Sequence, residues 1–466
     1  MSSTQLNIVI MAAGKGTRMK SALPKVLHKL AGRSLLQHVL GMSERLGQAR
    51  RIVITGHGAE QVETAVAAPG LSFVRQMPQL GTGHAVQQAV PALDDAAPVT
   101  LILNGDVPLI RAETAQALVE ACAGGSKLAL MTIELADPTG YGRIVRDAEG
   151  GVQAIVEHKD ASPEQRQIRE GYTGMMAAPT AALKRWLSQL TNDNAQGEYY
   201  LTDIVAMAVA EGLPVTGTLA PSETEVLGVN SPLQLSDLER RFQRQQAETL
   251  MEQQGLRLAD PARFDLRGQL TVGPDVEIDV GCVFEGQVSL GEGVRIGAYC
   301  VIRNATIAAG ARIHEFTHID GEKPGGAKVG AGALIGPFAR LRPGAELGDE
   351  VHIGNFVEVK NSTLAKGAKA NHLAYLGDAT VGERVNYGAG SITANYDGAN
   401  KHRTVIGADV HVGSNCVLVA PVEIGAGATV GGGSTITKPV GAGELAVARG
   451  KQVAISGWAR PVKKPK

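Results

Sequence analysis

The sequence predicts a doubly wound α/β domain, a linker helix and a parallel β-helix, and three features carry that expectation. From residue 7 to about 230, apolar β-type runs alternate with helical patterns, which builds a mainly parallel sheet with helices on both faces. Beyond Gly255 the apolar residues recur every six positions. The composition fits that second half: 58 glycines stand against 7 phenylalanines and 2 tryptophans, and a core so poor in aromatic rings must be filled by something regular.

In the first domain, strands are expected at 51–55, 99–103 and 127–133, and helices at 34–46, 83–90 and 111–121. The leading strand, 7–10, runs into Met11-Ala12-Ala13-Gly14-Lys15-Gly16-Thr17-Arg18, followed by Pro24-Lys25. A strand that ends in a glycine turn and opens a helix aims backbone N–H groups at one spot and suits phosphate. Arg18 and Lys25 add a planar fork and a point charge at a spacing that suits a triphosphate. Neither the Walker spacing nor Gly-x-Gly-x-x-Gly is present.

Asn104-Gly105-Asp106 follows the buried-type run 99–103, where a parallel sheet keeps its ligands. Asp106 there either holds Mg2+ or caps the next turn, and Asn230, after another extended run, offers a second oxygen to the same ion.

Residues 231–255 read as a long polar helix, with proline near its start, Gly255 at its end and Leu235, Leu238, Phe242 and Leu250 at helical spacing. The domains are accordingly placed at 1–232 and 254–466, with the linker helix at 233–253.

The period of six is carried by Val272, Ile278, Phe284, Leu290, Ile296 and Ile302, again from Val329 to Val359, and again from Ile406 to Ile436. Small residues such as Cys282 and Cys300 recur four positions after these. This is the hexapeptide β-helix pattern, three short strands to a triangular coil, and it gives about nine coils. Two insertions, 320–328 and 394–404, interrupt it, and such loops are where function concentrates. Of 11 histidines, His372 stands out, two residues past an inward alanine and beside other polar groups. Arg342 and Lys360 fall on consecutive coils, where they clamp a phosphate or, in the case of Arg342, form a surface ion pair.

The net charge of −1 excludes a generally basic nucleic-acid binder, and no apolar run approaches the roughly 20 residues of a membrane span. The start of the chain lacks a signal-peptide pattern, so a soluble cytoplasmic protein is expected. Cys122, Cys282, Cys300 and Cys416 form no C-x-x-C pair, which argues against a zinc knuckle or redox dithiol.

The first motif resembles the signature of nucleoside-triphosphate:sugar-1-phosphate nucleotidyltransferases. With Gln76, the run 81–85, the run 141–144, the run 157–160 and the stretch 194–203, the chain resembles, nearly end to end, the bacterial bifunctional N-acetylglucosamine-1-phosphate uridyltransferase/glucosamine-1-phosphate N-acetyltransferases. That resemblance implies a Rossmann-like nucleotidyltransferase domain, a left-handed β-helix and a homotrimer that uses Mg2+, UTP and acetyl-CoA. It implies uridine-nucleotide or nucleotide-sugar contacts at Met11, Ala12, Ala13, Gly14, Arg18, Lys25, Gln76, Gly81, Thr82, Gly105, Gly142 and Glu157, with Asp106 and Asn230 on the metal. For acetyl transfer it implies His372 as general base, Arg342, Lys360, Tyr375 and Asn386 on the amino-sugar phosphate, Asn395 and Tyr396 at the acetyl group, and Ser414, Gly432 and Arg449 on coenzyme A. Two positions depart from the family's pattern: Tyr172 stands where asparagine is usual, and Asn104 where tyrosine is usual. Two other readings are a single-activity nucleotidyltransferase with a regulatory β-helix, and a β-helix that serves as a trimerisation scaffold.

Overall fold

The computed structural model describes residues 6–463, which divide into two compact units, the first ending at Phe242 and the second starting at Gln243. In the first unit, strands β1 (Leu6–Ala12), β2 (Ala49–Thr55), β3 (Leu71–Arg75), β4 (Val99–Asn104), β5 (Leu128–Glu134), β6 (Gly142–Arg146), β7 (Val152–Val156), β8 (Glu170–Pro179) and β9 (Val215–Leu219) form one sheet. Its path is β9-β5-β8-β4-β1-β2-β3, with β6 and β7 branching from β8. The strands β1 to β4 pair in parallel, while β8 lies antiparallel between β4 and β5.

Alternation along the strands explains the helices on both faces. On β1, Ile8 and Ile10 pack with Leu36, Val62 and Leu118 of the helices α1 (Leu35–Glu44), α2 (Ala59–Val66) and α4 (Ala112–Ala121). Val9 points the other way, into a cluster with Val86, Trp186 and Ile204 from α3 (Thr82–Ala89), α5 (Thr180–Leu187) and α6 (Ile204–Ala210). Tyr172, on β8, belongs to this second cluster at 7% exposure. Its hydroxyl has no hydrogen-bond partner among the described residues. Burial, with the Glu157 carboxylate adding, pushes that phenol well above its usual range.

The chain runs outward from β1 to β2 and β3, then returns to β4 on the other side of β1. This reversal leaves a crevice at the carboxyl ends of β1 and β4, where Met11 is level with Asn104.

A short helix α7 (Glu223–Val226) precedes α8 (Pro232–Gln254). In the first unit Leu238 of α8 packs with Met19, Leu30, Leu35 and Val229. In the second, Ala247 and Leu250 join the β-helix core, and Gln243 exchanges two hydrogen bonds with the Leu266 backbone, at 2.7 and 3.0 Å. Gly255 follows with φ of 68°, the left-handed stop that glycine permits.

From Arg257 onward, short parallel strands coil upward. One face carries eleven of them, from Arg257–Leu258 to Leu445–Ala446, and the other two faces merge into a sheet of seventeen. The three hexad series lie in one continuous core. Eleven rungs exceed the nine counted from the hexads because the first and last lie outside those series. Tyr299, Phe316, Phe338 and Phe356 turn one corner at φ of 58, 58, 55 and 57°. Their rings stack at centroid distances of 5.4, 4.9 and 5.5 Å, and each is about half exposed.

Cys282 and Cys300 occupy equivalent positions on successive coils, unbridged and buried. Their thiols donate to the carbonyls of Gly297 and His314 at 3.2 and 3.1 Å. Burial pushes them up to about 11 and about 12 respectively. In the native protein neither should react with a thiol reagent at pH 8, while both should react after denaturation; rapid native labelling would contradict this packing. Because the Tyr172 hydroxyl is buried without a partner, Tyr172→Phe should keep or raise the thermal midpoint, and a loss above about 1 kcal/mol would reveal a missed partner.

Candidate active sites

The turn after β1 and the turn after β4 are tied together, since Gly105 N–H donates to the Met11 carbonyl at 2.9 Å. Around that tie lies a cleft of about 480 Å3, lined by Met11 to Gly14, Arg18, Lys25, Gln76, Gly81, Thr82, Asp106 and Asn230. The fold thus gathers residues more than two hundred positions apart. Lys15, Gln79 and Glu198 also line it, although the sequence reading assigned them no role. Gln79 lies between two assigned residues and Glu198 within the stretch 194–203, so position was the signal available.

Lys25 ion-pairs with Asp106 and also donates to Asn230 Oδ1 at 3.1 Å. Asp106 and Asn230 are held side by side because Val229 N–H donates to the Asp106 carbonyl at 2.9 Å. Two oxygens that share one ammonium lie within reach of a single cation. An anionic and an amide oxygen are also the hard donors magnesium takes, usually one or two from protein with phosphates and water completing the shell. Among the described residues no cluster of three or more His, Cys, Asp or Glu side chains forms a fuller metal cage.

Gly142 and Glu157 do not line the cleft. They lie beside each other, for a Cβ on Gly142 would stand 3.8 Å from both Glu157 carboxylate oxygens and 2.8 Å from Ile155. Glu157 accepts from Thr202 Oγ1 at 3.1 Å, and burial raises its pKa.

On the β-helix, parallel register stacks the outward residues. Arg340 is level with Glu358 and Leu341 with Val359, which sets Arg342 beside Lys360. Glu358 is level with Tyr375, and Lys360 with Gly377. Arg342 pairs with Glu358 at 2.8 Å, so it does form the ion pair that the sequence allowed, yet its guanidinium also bears on Lys360. The ammonium of Lys360 is held below its usual range, first by contact with Lys401 and then by burial and Arg342. Lys401 belongs to the 394–404 insertion, where it bridges to Tyr396. Sequence reasoning singled out that loop, but only the fold shows which of its residues turns towards Lys360.

His372 ends the strand Lys369–His372, and its Nδ1 lies 3.1 Å from Asn355 Oδ1 on the coil before. An amide oxygen accepts only, so it draws the proton to Nδ1 and leaves Nε2 as the basic nitrogen. Leu373 follows at φ of 49° and continues the aromatic corner column. Farther up the column of His372 stand Ser414 and Gly432, and Arg449 donates to the Gly432 carbonyl at 2.7 Å. Tyr396 is exposed, its hydroxyl donating to Gly398, while Asn395 is 8% exposed.

Asn386 departs from this grouping. It sits on the eleven-stranded face, level with Lys369 and His411, whereas Arg342, Lys360 and Tyr375 border the seventeen-stranded sheet. One chain thus places Asn386 on the face that carries the His372 strand, a different face from the sheet that Arg342, Lys360 and Tyr375 border.

Comparison with known proteins agrees with this two-part layout. Residues 8–197 match the MobA-like NTP transferase domain, and residues 270–304, 326–361 and 403–438 match the bacterial transferase hexapeptide. The chain is 76% identical to the bifunctional protein GlmU of Methylibium petroleiphilum, over 98% of this chain and 100% of that one. It is 68% identical to that of Paracidovorax citrulli, over 99% of each. With that of Cupriavidus taiwanensis the identity is 59%, over 99% of this chain and 100% of the relative. The chain therefore belongs to the family of bifunctional GlmU proteins.

Proposed function

We propose that the two units catalyse successive steps in making UDP-N-acetylglucosamine, a cell-wall precursor. The β-helix transfers acetyl from acetyl-CoA to the amine of glucosamine 1-phosphate. The first unit then joins the N-acetylglucosamine 1-phosphate to UTP and releases pyrophosphate. The observation that carries the reading is the convergence of Lys25, Asp106 and Asn230 beside the 11–18 loop, together with a second, separate set of cations on the β-helix.

In the uridylyl site, backbone N–H groups of the loop and the charges of Arg18 and Lys25 hold the nucleotide's phosphates. Gln76, Gly81 and Thr82 take the uridine, and Gly142 and Glu157 the sugar. Asp106 and Asn230 would hold Mg2+, which when bound would supply positive charge to the reacting phosphates and to the departing pyrophosphate.

In the acetyl site, Arg342, Lys360 and Lys401 hold the sugar phosphate, with Tyr375 beside them. The amine nitrogen attacks the thioester carbon, the C–S bond breaks, and the coenzyme leaves as thiolate. His372 Nε2 takes the amine's proton and can return it to the thiolate. Ser414, Gly432 and Arg449 hold coenzyme A, with Asn395 and Tyr396 bordering the acetyl group.

The site is completed between chains of a homotrimer. Two features support this: Asn386 lies on a different face from Arg342, Lys360 and Tyr375 in one chain, and the half-exposed aromatic corner column runs up to Leu373, beside His372. The protein works in the cytoplasm; no helix among the described residues is long and apolar enough to cross a membrane.

Asp106→Ala should reduce uridylyl transfer by more than about a hundredfold, since several kcal/mol of charge stabilisation is removed. Acetyl transfer by the same protein should continue, and loss of both in a folded variant would contradict two independent sites. His372→Ala should lose acetyl transfer by about 10²- to 10⁴-fold. Co-expressing Lys360→Ala with Asn386→Ala chains should restore about a quarter of the acetyl-transfer rate, because a quarter of shared sites receive both intact residues. Mixed protein as inactive as its parents would place both residues in one chain's site.

A further inference from the structure

Asp378 is a buried carboxylate, 7% exposed, beside the acetyl site, and no step above uses it. No salt bridge to it is formed among the described residues; two side-chain amides close on it instead. Asn361 Nδ2 donates to Asp378 Oδ1 and Asn395 Nδ2 to Asp378 Oδ2, both at 2.5 Å. An ionised carboxylate only accepts, so both amides must present nitrogen to it. That requirement fixes the orientation of Asn395. Its Nδ2 faces inward, to Asp378 and to the Tyr375 hydroxyl at 3.5 Å, and no donor among the described residues reaches its Oδ1.

The surroundings restrict what that oxygen serves. Gly377 leaves the space between Tyr375 and Asn395 open, for a Cβ there would stand 2.7 Å from Asn395 Nδ2. A thioester carbonyl needs a donor, which Asn395 in this orientation does not offer. A primary amine needs an acceptor, and an N–H held by one keeps the nitrogen lone pair aimed along a fixed line.

We propose that Asp378 is a positioning residue for acetyl transfer, locking Asn395 so that Oδ1 accepts a hydrogen bond from the amine of glucosamine 1-phosphate. The proposal rests on the reading of this face as the acetyl site. Asp378 acts through Asn395 and touches no substrate.

The test compares Asn395→Ala, Asp378→Gly and the double variant in acetyl transfer, with uridylyl transfer and thermal midpoint measured on the same preparations. Glycine suits position 378, where φ is 50°, and it keeps the carbonyl that accepts from Thr404 N–H at 3.1 Å. Each single variant should lose on the order of tenfold in kcat/KM for glucosamine 1-phosphate, and the double should lose no more than either. Uridylyl transfer should stay at the wild-type rate. Additive losses, or an Asp378→Gly protein with wild-type kcat/KM, would overturn the proposal and leave the acetyl-transfer reading standing. A silent Asn395→Ala would remove Asn395 from the site and the proposal with it. Failure of the wild-type protein to acetylate glucosamine 1-phosphate would defeat the underlying reading directly. If the glycine variant melts early, reversing the pair decides: Asn395→Asp alone should lose activity, and adding Asp378→Asn should recover most of it. No recovery would overturn the proposal.

Discussion

The register of parallel strands is the constraint on which both candidate sites depend. In the first unit, pairing β1 with β4 sets Met11 level with Asn104, so the phosphate-type loop and Asp106 emerge on the same edge. On the β-helix, the same kind of pairing sets Glu358 level with Tyr375 and Asn355 level with His372. Side chains alternate across a strand, so a slip of one residue would turn every one of these groups to the other face and the core residues outward. Burial of the hexad residues therefore enforces the positions of the reactive ones.

The two candidate sites balance their charges differently. In the first, Lys25 is neutralised by Asp106 and steadied by Asn230. That pair is balanced internally, so a cation or a phosphate entering there would exchange for an existing contact. In the second, Arg342, Lys360 and Lys401 crowd together, with the Glu358 and Asp378 carboxylates opposing them. Three cations against two carboxylates favour an anion, and the ammonium of Lys360 is held below its usual range first by contact with Lys401 and then by burial and Arg342.

Much of this was legible in the sequence because the physics is local or periodic there. A repeat of six admits one architecture, and a strand running into residues 11–18, with Arg18 and Lys25 beyond the turn, reads as an anion-binding turn. The remainder depended on contacts that no spacing reveals. Lys401 reaches Lys360 across 41 positions, and which of Lys401, His402 and Arg403 does so depends on how the insertion folds back. Asp378 reads as a corner residue until the two amides on it are seen. Asn386 falls on a different face from Lys360 and Tyr375, which counting three hexads to a coil from Leu376 to Tyr387 also gives, since no insertion interrupts that stretch. Tyr172, where the resemblance implied asparagine, is a core residue.

Acetylation on the β-helix makes the substrate for uridylyl transfer in the first unit. The most direct test supplies the protein with glucosamine 1-phosphate and UTP, then adds acetyl-CoA, while free coenzyme A thiol and pyrophosphate are followed together. Pyrophosphate should remain near background until acetyl-CoA is added, and coenzyme A release should then precede it with a lag. Rapid pyrophosphate release without acetyl-CoA, or pyrophosphate release with no coenzyme A, would contradict it.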